Sequence, residues 1–446
     1  MLSLKYISSI IKYSKVSRLN REEMLYIQKQ KWLKLLKFVN KKSPYYSNII
    51  KHINKPLELI VPQDFPVLTK KIIQEHFNEI VTDSKINQSE VHNHVESHDP
   101  TQLYLGKYHI LKTSGSSGKP GYFLSSSTEV IEGVAPTVAR GHKGIRRRKK
   151  RISMIGFPRS YAGSSQTMSF CDKIWIAKKF VEYHPVSIEQ PFENVISQLN
   201  EIQPHVLSGY AKLLLLLADA QASGKLKIHP DSIESGGELL LNTDRNYLKE
   251  VFKCPVNNHY GSTEGFSMGI CRDNESGIEL FEDHLIFEIL PTETRITNLN
   301  NFVMPLINYQ MRDILVPKGI SKTSPFQIVE NAIGRTDEIP YLTTLEKDKI
   351  TIHPLAFDPL MPHGVKTFSM VCDKPNSVTY KIFIDHNHKH LSSNIQAETL
   401  KVLKDFFNKK GLSTIEVIVE LTDDYDVNLQ TGKSQIWRQS VIENTL

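Results

Sequence analysis

Cysteine is scarce in this 446-residue chain. Cys171, Cys254, Cys271 and Cys372 are the full complement, and no two form a Cys-x-x-Cys pair. That argues against a disulfide framework and for a reducing compartment. Cys254 and His259 could share a metal, but no second close pair completes a zinc-type site. No apolar run reaches the roughly 20 residues of a membrane-spanning helix. Met1 to Asn20 sets Ile7, Ile10 and Ile11 among lysines, without a continuous apolar core or a small-residue cleavage site. It reads as a poor signal peptide, so cytoplasmic residence is expected. Internal repeats and low-complexity segments are also absent. The net charge of +7 is modest for this length. It suggests anionic ligands without requiring nucleic acid.

What is present centres on Thr113 to Pro120, which reads Thr-Ser-Gly-Ser-Ser-Gly-Lys-Pro. The run holds hydroxyls, glycines and one lysine with almost no side-chain bulk. Glycines let backbone amides approach an anion, hydroxyls donate, and the lysine neutralises charge, so a polyphosphate is the natural guest. It is not a Walker loop. Thr113 stands where the first glycine belongs, and Pro120 stands where the magnesium-binding hydroxyl belongs. Ile110-Leu111 and Tyr122-Phe123-Leu124 flank the run as short strands, which makes it a hairpin tip; a flexible linker is the competing reading.

Taken in order, the spacing predicts a helix over Arg21 to Lys42, with Leu25, Trp32, Leu36 and Val39 on one face. Ser43-Pro44-Tyr45-Tyr46 breaks it. A second helix is expected over Lys71 to Ile80, then a polar loop over 84 to 103. Thr128 to Val138 reads as helix and Ile152 to Phe157 as a buried strand. Helices at Phe192 to Ile202 and Ala211 to Ser223, and one capped by Asn242 or Thr243, alternate with strands near Val206, Ile233 and Val256. The last strand should enter a turn at Tyr260-Gly261-Ser262. This alternation implies an α/β domain with a largely parallel sheet. Gly277 to Ile307 turns more purely β, with a hairpin turn expected within Arg295 to Asn301. Beyond Asp337, strands at Thr367 to Cys372, Val378 to Asp385 and Thr414 to Leu421 surround a helix from Glu398 to Lys410. That is a small α+β domain, with Val378, Tyr380, Ile382 and Ile384 on one strand face. The division is 1–337 for the large domain and 338–446 for the small one.

Several short patterns follow the Thr113 loop in order: Gly236-Gly237-Glu238, Tyr260-Gly261-Ser262-Thr263-Glu264, Asn308-Tyr309-Gln310-Met311-Arg312-Asp313, Gly334-Arg335-Thr336-Asp337-Glu338 and Thr431-Gly432-Lys433. Singly they are weak; a Tyr-Gly pair is usually a turn. As an ordered series they resemble the adenylate-forming superfamily of acyl-CoA synthetases, adenylation domains and luciferases. Within it the chain looks most like the phenylacetate–CoA ligase branch, which also includes a deazaflavin-coenzyme adenylyltransferase and capsule-biosynthesis proteins. Ser43 to Tyr46, Leu68-Thr69-Lys70 and Glu282-Asp283-His284 support that branch.

The resemblance implies a large α/β domain of adenylate-forming type followed by a small mobile α+β domain. It implies ATP and Mg2+ as cofactors. Thr113, Ser114, Gly115, Ser116, Ser117, Gly118 and Lys119 would hold the β- and γ-phosphates. Glu264 would hold magnesium, supplying the ligand that the loop lacks. Tyr260 would stack on adenine, Gly236, Gly237 and Glu238 would line it, and Gly261, Ser262 and Thr263 would complete the nucleotide contacts. Asp313 would accept both ribose hydroxyls, since a carboxylate only accepts, with Arg335 in support. Lys433 would be the catalytic lysine, a cation placed where charge builds in the transition state. Asp337 would be the hinge about which the small domain swings to close the site. Arg312 departs from the family glycine, which leaves the second-step acceptor open.

The implied activity is activation of a small-molecule carboxylic acid as acyl-AMP with pyrophosphate release, then transfer to a thiol such as coenzyme A. AMP transfer to a coenzyme or phosphate acceptor and a non-catalytic nucleotide-binding homologue are the alternatives. The basic run from Arg140 through Lys143 and Arg146 to Arg151 reads as a solvated loop. Its functional readings are a dock for an acidic carrier protein or coenzyme A, or an anionic membrane face. Nucleic-acid binding through residues 140 to 151 is a further reading that rests on this charge run alone, without interleaved aromatics, and is not expected.

Overall fold

A computed structural model describes residues 2–112, 121–141, 150–156, 179, 181–188, 190–311, 313–330, 334–335, 341–343, 349–351, 357, 360–374, 376–423 and 437–439. The architecture is a large mixed α/β N-terminal domain followed by a smaller α+β segment. The chain divides into two compact units. One comprises Met1–Ile152, Phe157–Pro185 and Asn257–Asn331; the other comprises Ser153–Gly156, Val186–Val256 and Ala332–Leu446.

The first unit opens with a helix at Leu2–Val16 that packs on a helix at Ser127–Gly141. Tyr6, Val130 and Ile131 form their apolar contact. Ser9, Lys12 and Tyr13 all reach the Glu132 carboxylate, at 2.8, 2.6 and 2.8 Å. The next helix spans Arg21–Lys42, with a capping box between Asn20 and Glu23. Trp32, Leu36 and Val39 are buried as expected, but Leu25 is 39% exposed and Met24 takes its place inside. Ser43 ends this helix and caps another at Pro44–His52, so the break is a corner between helices.

Three further expectations need correction in this unit. The helix expected over Lys71 to Ile80 is two short ones, Lys70–Glu75 and Phe77–Ile80, parted at His76. The expected loop over 84 to 103 contains a helix at Gln88–Ser97, because Val91 and Val95 bury one face and the Asn87 side chain caps it. A turn does fall within Arg295 to Asn301, at Leu299 and Asn300, but the tight hairpin lies before Arg295, where Leu290 N–H donates to Glu293 O at 2.9 Å. Arg295 itself pairs across the strands with Glu288.

The expected hairpin flanks are strands at Tyr108–Lys112 and Tyr122–Ser126, antiparallel with Ile110 opposite Leu124. Five more strands of this unit lie in the order Pro317–Ile320, Gln327–Glu330, Gly277–Leu280, Phe266–Cys271 and Val256–Ser262. Each neighbouring pair is antiparallel. This part of the fold is therefore antiparallel, since three residues join Val256–Ser262 to Phe266–Cys271, far too few for a parallel crossover; the parallel pairing that the helix–strand alternation implies is found between Val206–Gly209 and Ser232–Gly236. A second sheet comprises Leu285–Ile289, Thr294–Asn298 and Tyr309–Met311.

In the second unit, strands Val206–Gly209 and Ser232–Gly236 are parallel. Helices Phe192–Ile202, Ala211–Ala222 and Asn242–Phe252 share their core through Leu199, Leu214, Leu217, Ile233 and Leu248. The last helix is capped differently from expectation. Leu241 is the residue before it, and the Asp244 carboxylate accepts the Leu241 N–H at 3.2 Å. The C-terminal sheet runs Glu416–Leu421, Ser377–Ile384, Val365–Lys374, Trp437–Gln439. Val378, Tyr380, Ile382 and Ile384 are buried, as their alternation requires. The accompanying helix begins at Ser392 and not at Glu398, since Ile395 also enters the core beside Leu403 and Phe407. Among the described residues, no helix is long and apolar enough to cross a membrane.

Candidate functional site

The strand Val256–Ser262 continues past Tyr260 and Gly261, with a register shift between them, so the turn falls later, at Thr263 to Gly265. Gly261 is required there: a Cβ would stand 2.5 Å from the Phe266 carbonyl oxygen of the returning strand. Ser262 Oγ accepts the Gly265 N–H at 3.0 Å, which closes the turn and leaves Glu264 at its apex.

Two tyrosines and two carboxylates then pair crosswise. Tyr260 OH donates to Asp313 Oδ2 at 2.9 Å, and Tyr309 OH donates to Glu264 Oε1 at 3.2 Å. Each segment carries the same spacing, Tyr-x-x-x-acid, at Tyr260 to Glu264 and at Tyr309 to Asp313. Each tyrosine serves the other segment's acid. Both phenols are buried, at 8% and 4% exposure. Burial raises the Glu264 carboxyl above the usual carboxylate range, and the Asp313 charge pushes the same way; hydrogen bonds from Ser262 and Tyr309 pull back. The site thus holds two acids within electrostatic reach of each other.

The backbone under Glu264 is fixed as well. Asn298 Nδ2 donates to the Glu264 carbonyl at 3.1 Å, and His284 Nε2 meets the Gly265 carbonyl at 3.1 Å. His284 is buried, and burial holds its ring down at about 4, so it is neutral.

In the second unit, Gly237 has φ of +77°, and a Cβ there would stand 2.8 Å from Tyr210 Cε1. Glycine meets both demands. The Glu238 carboxylate accepts the Lys212 N–H at 3.1 Å, at the start of the Ala211–Ala222 helix. Glu238 therefore has a helix-terminal partner in addition to any ligand role.

Thr113 to Lys119, Arg312, Asp337 and Lys433 lie outside the described residues. Arg335 is placed in a short strand, Gly334–Arg335. Of the basic run, Arg140 is not a docking residue. It is 4% exposed and its guanidinium meets Asp283 Oδ2 at 2.7 Å, with the Tyr13, Phe281 and Phe326 rings against it. Lys143 and Arg146 to Lys149 lie outside the described residues. Cys254 and His259 join no metal cluster; the described residues contain no group of three or more His, Cys, Asp or Glu able to hold an ion. Tyr309, Asn298 and Asn300 carry no assigned role in the sequence reading. The repeated Tyr-x-x-x-acid spacing was the signal that could have found the first.

Solved structures share the fold. A 2-hydroxyisobutyryl-CoA ligase, in the postadenylation state with R3-HIB-AMP, superposes with a TM-score of 0.73 over 96% of this chain and 91% of its own, at 12% identity. The chain has the acyl-adenylate-forming fold. The same ligase bound to 2-HIB-AMP and CoA gives a TM-score of 0.56 over 95% and 91% of the two chains. Among curated proteins, this chain is similar to protein CapK of Staphylococcus aureus. The two are 23% identical over 346 residues, covering 70% of this chain and 71% of that one. No family model matches.

Proposed function

We propose that this chain is an ATP-dependent ligase that activates a carboxylic acid as its acyl-adenylate, releasing pyrophosphate, and then passes the acyl group to a thiol such as coenzyme A with release of AMP. The crossed pairing of Tyr260 with Asp313 and Tyr309 with Glu264, in an acyl-adenylate-forming fold, is the observation that carries this reading.

A carboxylate attacking the α-phosphorus of ATP meets a crowded anion. Alignment and charge neutralisation matter there more than a strong base. In this reading Asp313 receives the ribose hydroxyls, and the Tyr260 phenol orients that carboxylate as well as offering a ring face to adenine. Gly236 and Gly237 give the base a surface without side chains. Thr113 to Lys119 cradle the β- and γ-phosphates. Lys433 steadies the α-phosphate and the acid's oxygens, and Asp337 is the hinge residue.

The residues fit a magnesium ion. Burial, and to a lesser extent the Asp313 charge, raise the Glu264 proton affinity, a cost that a divalent cation offsets. Magnesium takes one or two protein carboxylates and completes its shell from substrate phosphates and water. Bound at Glu264, it would supply charge neutralisation to the phosphates.

The test is ATP–pyrophosphate exchange driven by a panel of aryl, fatty and amino acids. Exchange with one class is expected, falling by about two orders of magnitude or more in K433A and E264A. Tight ATP binding with no exchange for any acid would refute catalysis. Product mass then separates an acyl thioester from an adenylylated acceptor.

A further inference from the structure

The motif Glu282-Asp283-His284 has no role in the chemistry above, yet its histidine sits directly behind the Glu264 turn. His284 is 1% exposed. Its Nε2 lies 3.1 Å from the Gly265 carbonyl oxygen, and its Nδ1 lies 2.7 Å from Asn300 Nδ2. A carbonyl oxygen can only accept, so Nε2 carries the proton. The Asn300 amide nitrogen can only donate, so Nδ1 carries the lone pair. One neutral tautomer satisfies both contacts, and the reversed amide orientation of Asn300 would set its oxygen against the unprotonated Nδ1 of that tautomer and against the His284 carbonyl, 3.4 Å away.

The same loop holds the turn a second time. Asn298 Nδ2 donates to the Glu264 carbonyl at 3.1 Å, and Asn298 Oδ1 accepts the Asn300 N–H at 3.1 Å. Two successive carbonyls, of Glu264 and Gly265, are therefore tied to residues 298–300, the first directly and the second through the His284 ring. With Ser262 on the Gly265 amide and Tyr309 on the carboxylate, the Glu264 residue is fixed at both its backbone and its side chain.

We propose that His284 is a positioning residue for the Glu264 carboxylate, relaying the Asn298–Asn300 loop onto the turn that presents that acid to the metal–nucleotide. This rests on the reading of Glu264 as the metal-holding acid. A catalytic carboxylate loses efficiency when displaced by about 1 Å, and a hydrogen-bonded ring behind its peptide is the way this fold resists such displacement.

The experiment compares wild type with H284L, H284Q and N300A, using E264Q as the control. H284L removes both ring contacts. H284Q keeps an amide donor for the Gly265 carbonyl. N300A leaves the ring but removes the donor to Nδ1. The readouts are kcat and KM in ATP–pyrophosphate exchange, and Mn2+ affinity in the presence of ATP by electron paramagnetic resonance, which requires no turnover. H284L should lower kcat by about 10- to 100-fold, with the KM for ATP moving much less, and should weaken Mn2+ binding. H284Q should recover most of both losses, which a purely space-filling role for the ring would not produce. N300A should fall between wild type and H284L. Should H284L not fold, H284Q and N300A decide the matter through the same two readouts. Wild-type kcat and Mn2+ affinity in H284L or N300A, while E264Q weakens Mn2+ binding, would overturn the role of His284 alone. An E264Q protein that binds Mn2+ like wild type would overturn the reading of Glu264, and this inference with it.

Discussion

Burial of His284 makes folding stability depend on pH in a way that can be worked out and measured. The ring's proton affinity falls from the ordinary 6.5 to about 4 because burial disfavours the charged form; the Lys31 charge adds to this, while Asp283, Glu132 and the Gly265 carbonyl oppose it. Protonation would also force an N–H onto Nδ1, against the Asn300 donor. The unfolded chain therefore binds more protons than the folded chain between these two values. Stability is fully present above the unfolded value and is lost as pH falls through that window. A drop from 6.5 to about 4 corresponds to about 3 kcal/mol in all, of which about 2 kcal/mol is lost between about pH 7.5 and about pH 5. The perturbation is H284Q, which cannot titrate but retains a donor for Gly265. The assay is urea unfolding of both proteins at those two pH values. Lys31, Asp283, Glu132 and Tyr13 remain in each, so their contributions cancel in the difference. Wild type should lose about 2 kcal/mol more than H284Q on acidification. Equal losses in the two proteins would show that the ring is not held neutral, and the tautomer argument would fail with it.

Two further outcomes follow from the same unit. R140M should cost about 3–5 kcal/mol in urea unfolding, because Asp283 at 0% side-chain exposure would keep a buried charge without its guanidinium, and R140M/D283L should recover most of that loss. Y309F should move the acidic limb of the exchange pH–rate profile upward, because the lost phenol hydrogen bond is one of the contacts that lower the Glu264 proton affinity; an unmoved limb would count against Glu264 as the titrating group.

Much of the element pattern was legible because local periodicity decides it. The helices at Arg21–Lys42 and Phe192–Ile202 fall where their apolar spacing places them. Gln88–Ser97 was opaque for the opposite reason: two valines among histidines and asparagines are the only apolar face, and a ten-residue helix with so little periodicity resembles a loop. Sheet direction was opaque too. The run Val256 to His259 reads as a strand whether it pairs parallel or antiparallel, and only the short connection to Phe266 decides. Arg140 shows the limit of reading charge by neighbourhood. It heads a basic run, yet the register of the Ser127–Gly141 helix turns it inward onto Asp283.

The candidate site shows the same division at finer grain. Its letters were readable, because Tyr260 to Glu264 and Asn308 to Asp313 are compact motifs. Their coupling was not, because Tyr260 and Asp313 stand 53 positions apart and no local rule links them. The crossed pairing changes what each residue means. Had each tyrosine served the acid of its own segment, the two motifs would be separable devices, one for the metal and one for the ribose. As built, the phenol beside the metal-type acid belongs to the ribose-type segment, and the reverse also holds. Perturbing either tyrosine therefore alters the carboxylate of the other motif. Y260F should consequently change nucleotide affinity more than metal dependence, and Y309F should change metal dependence more than nucleotide affinity. Pairing within each segment would give the opposite assignment, with Y260F acting on the metal and Y309F on the nucleotide.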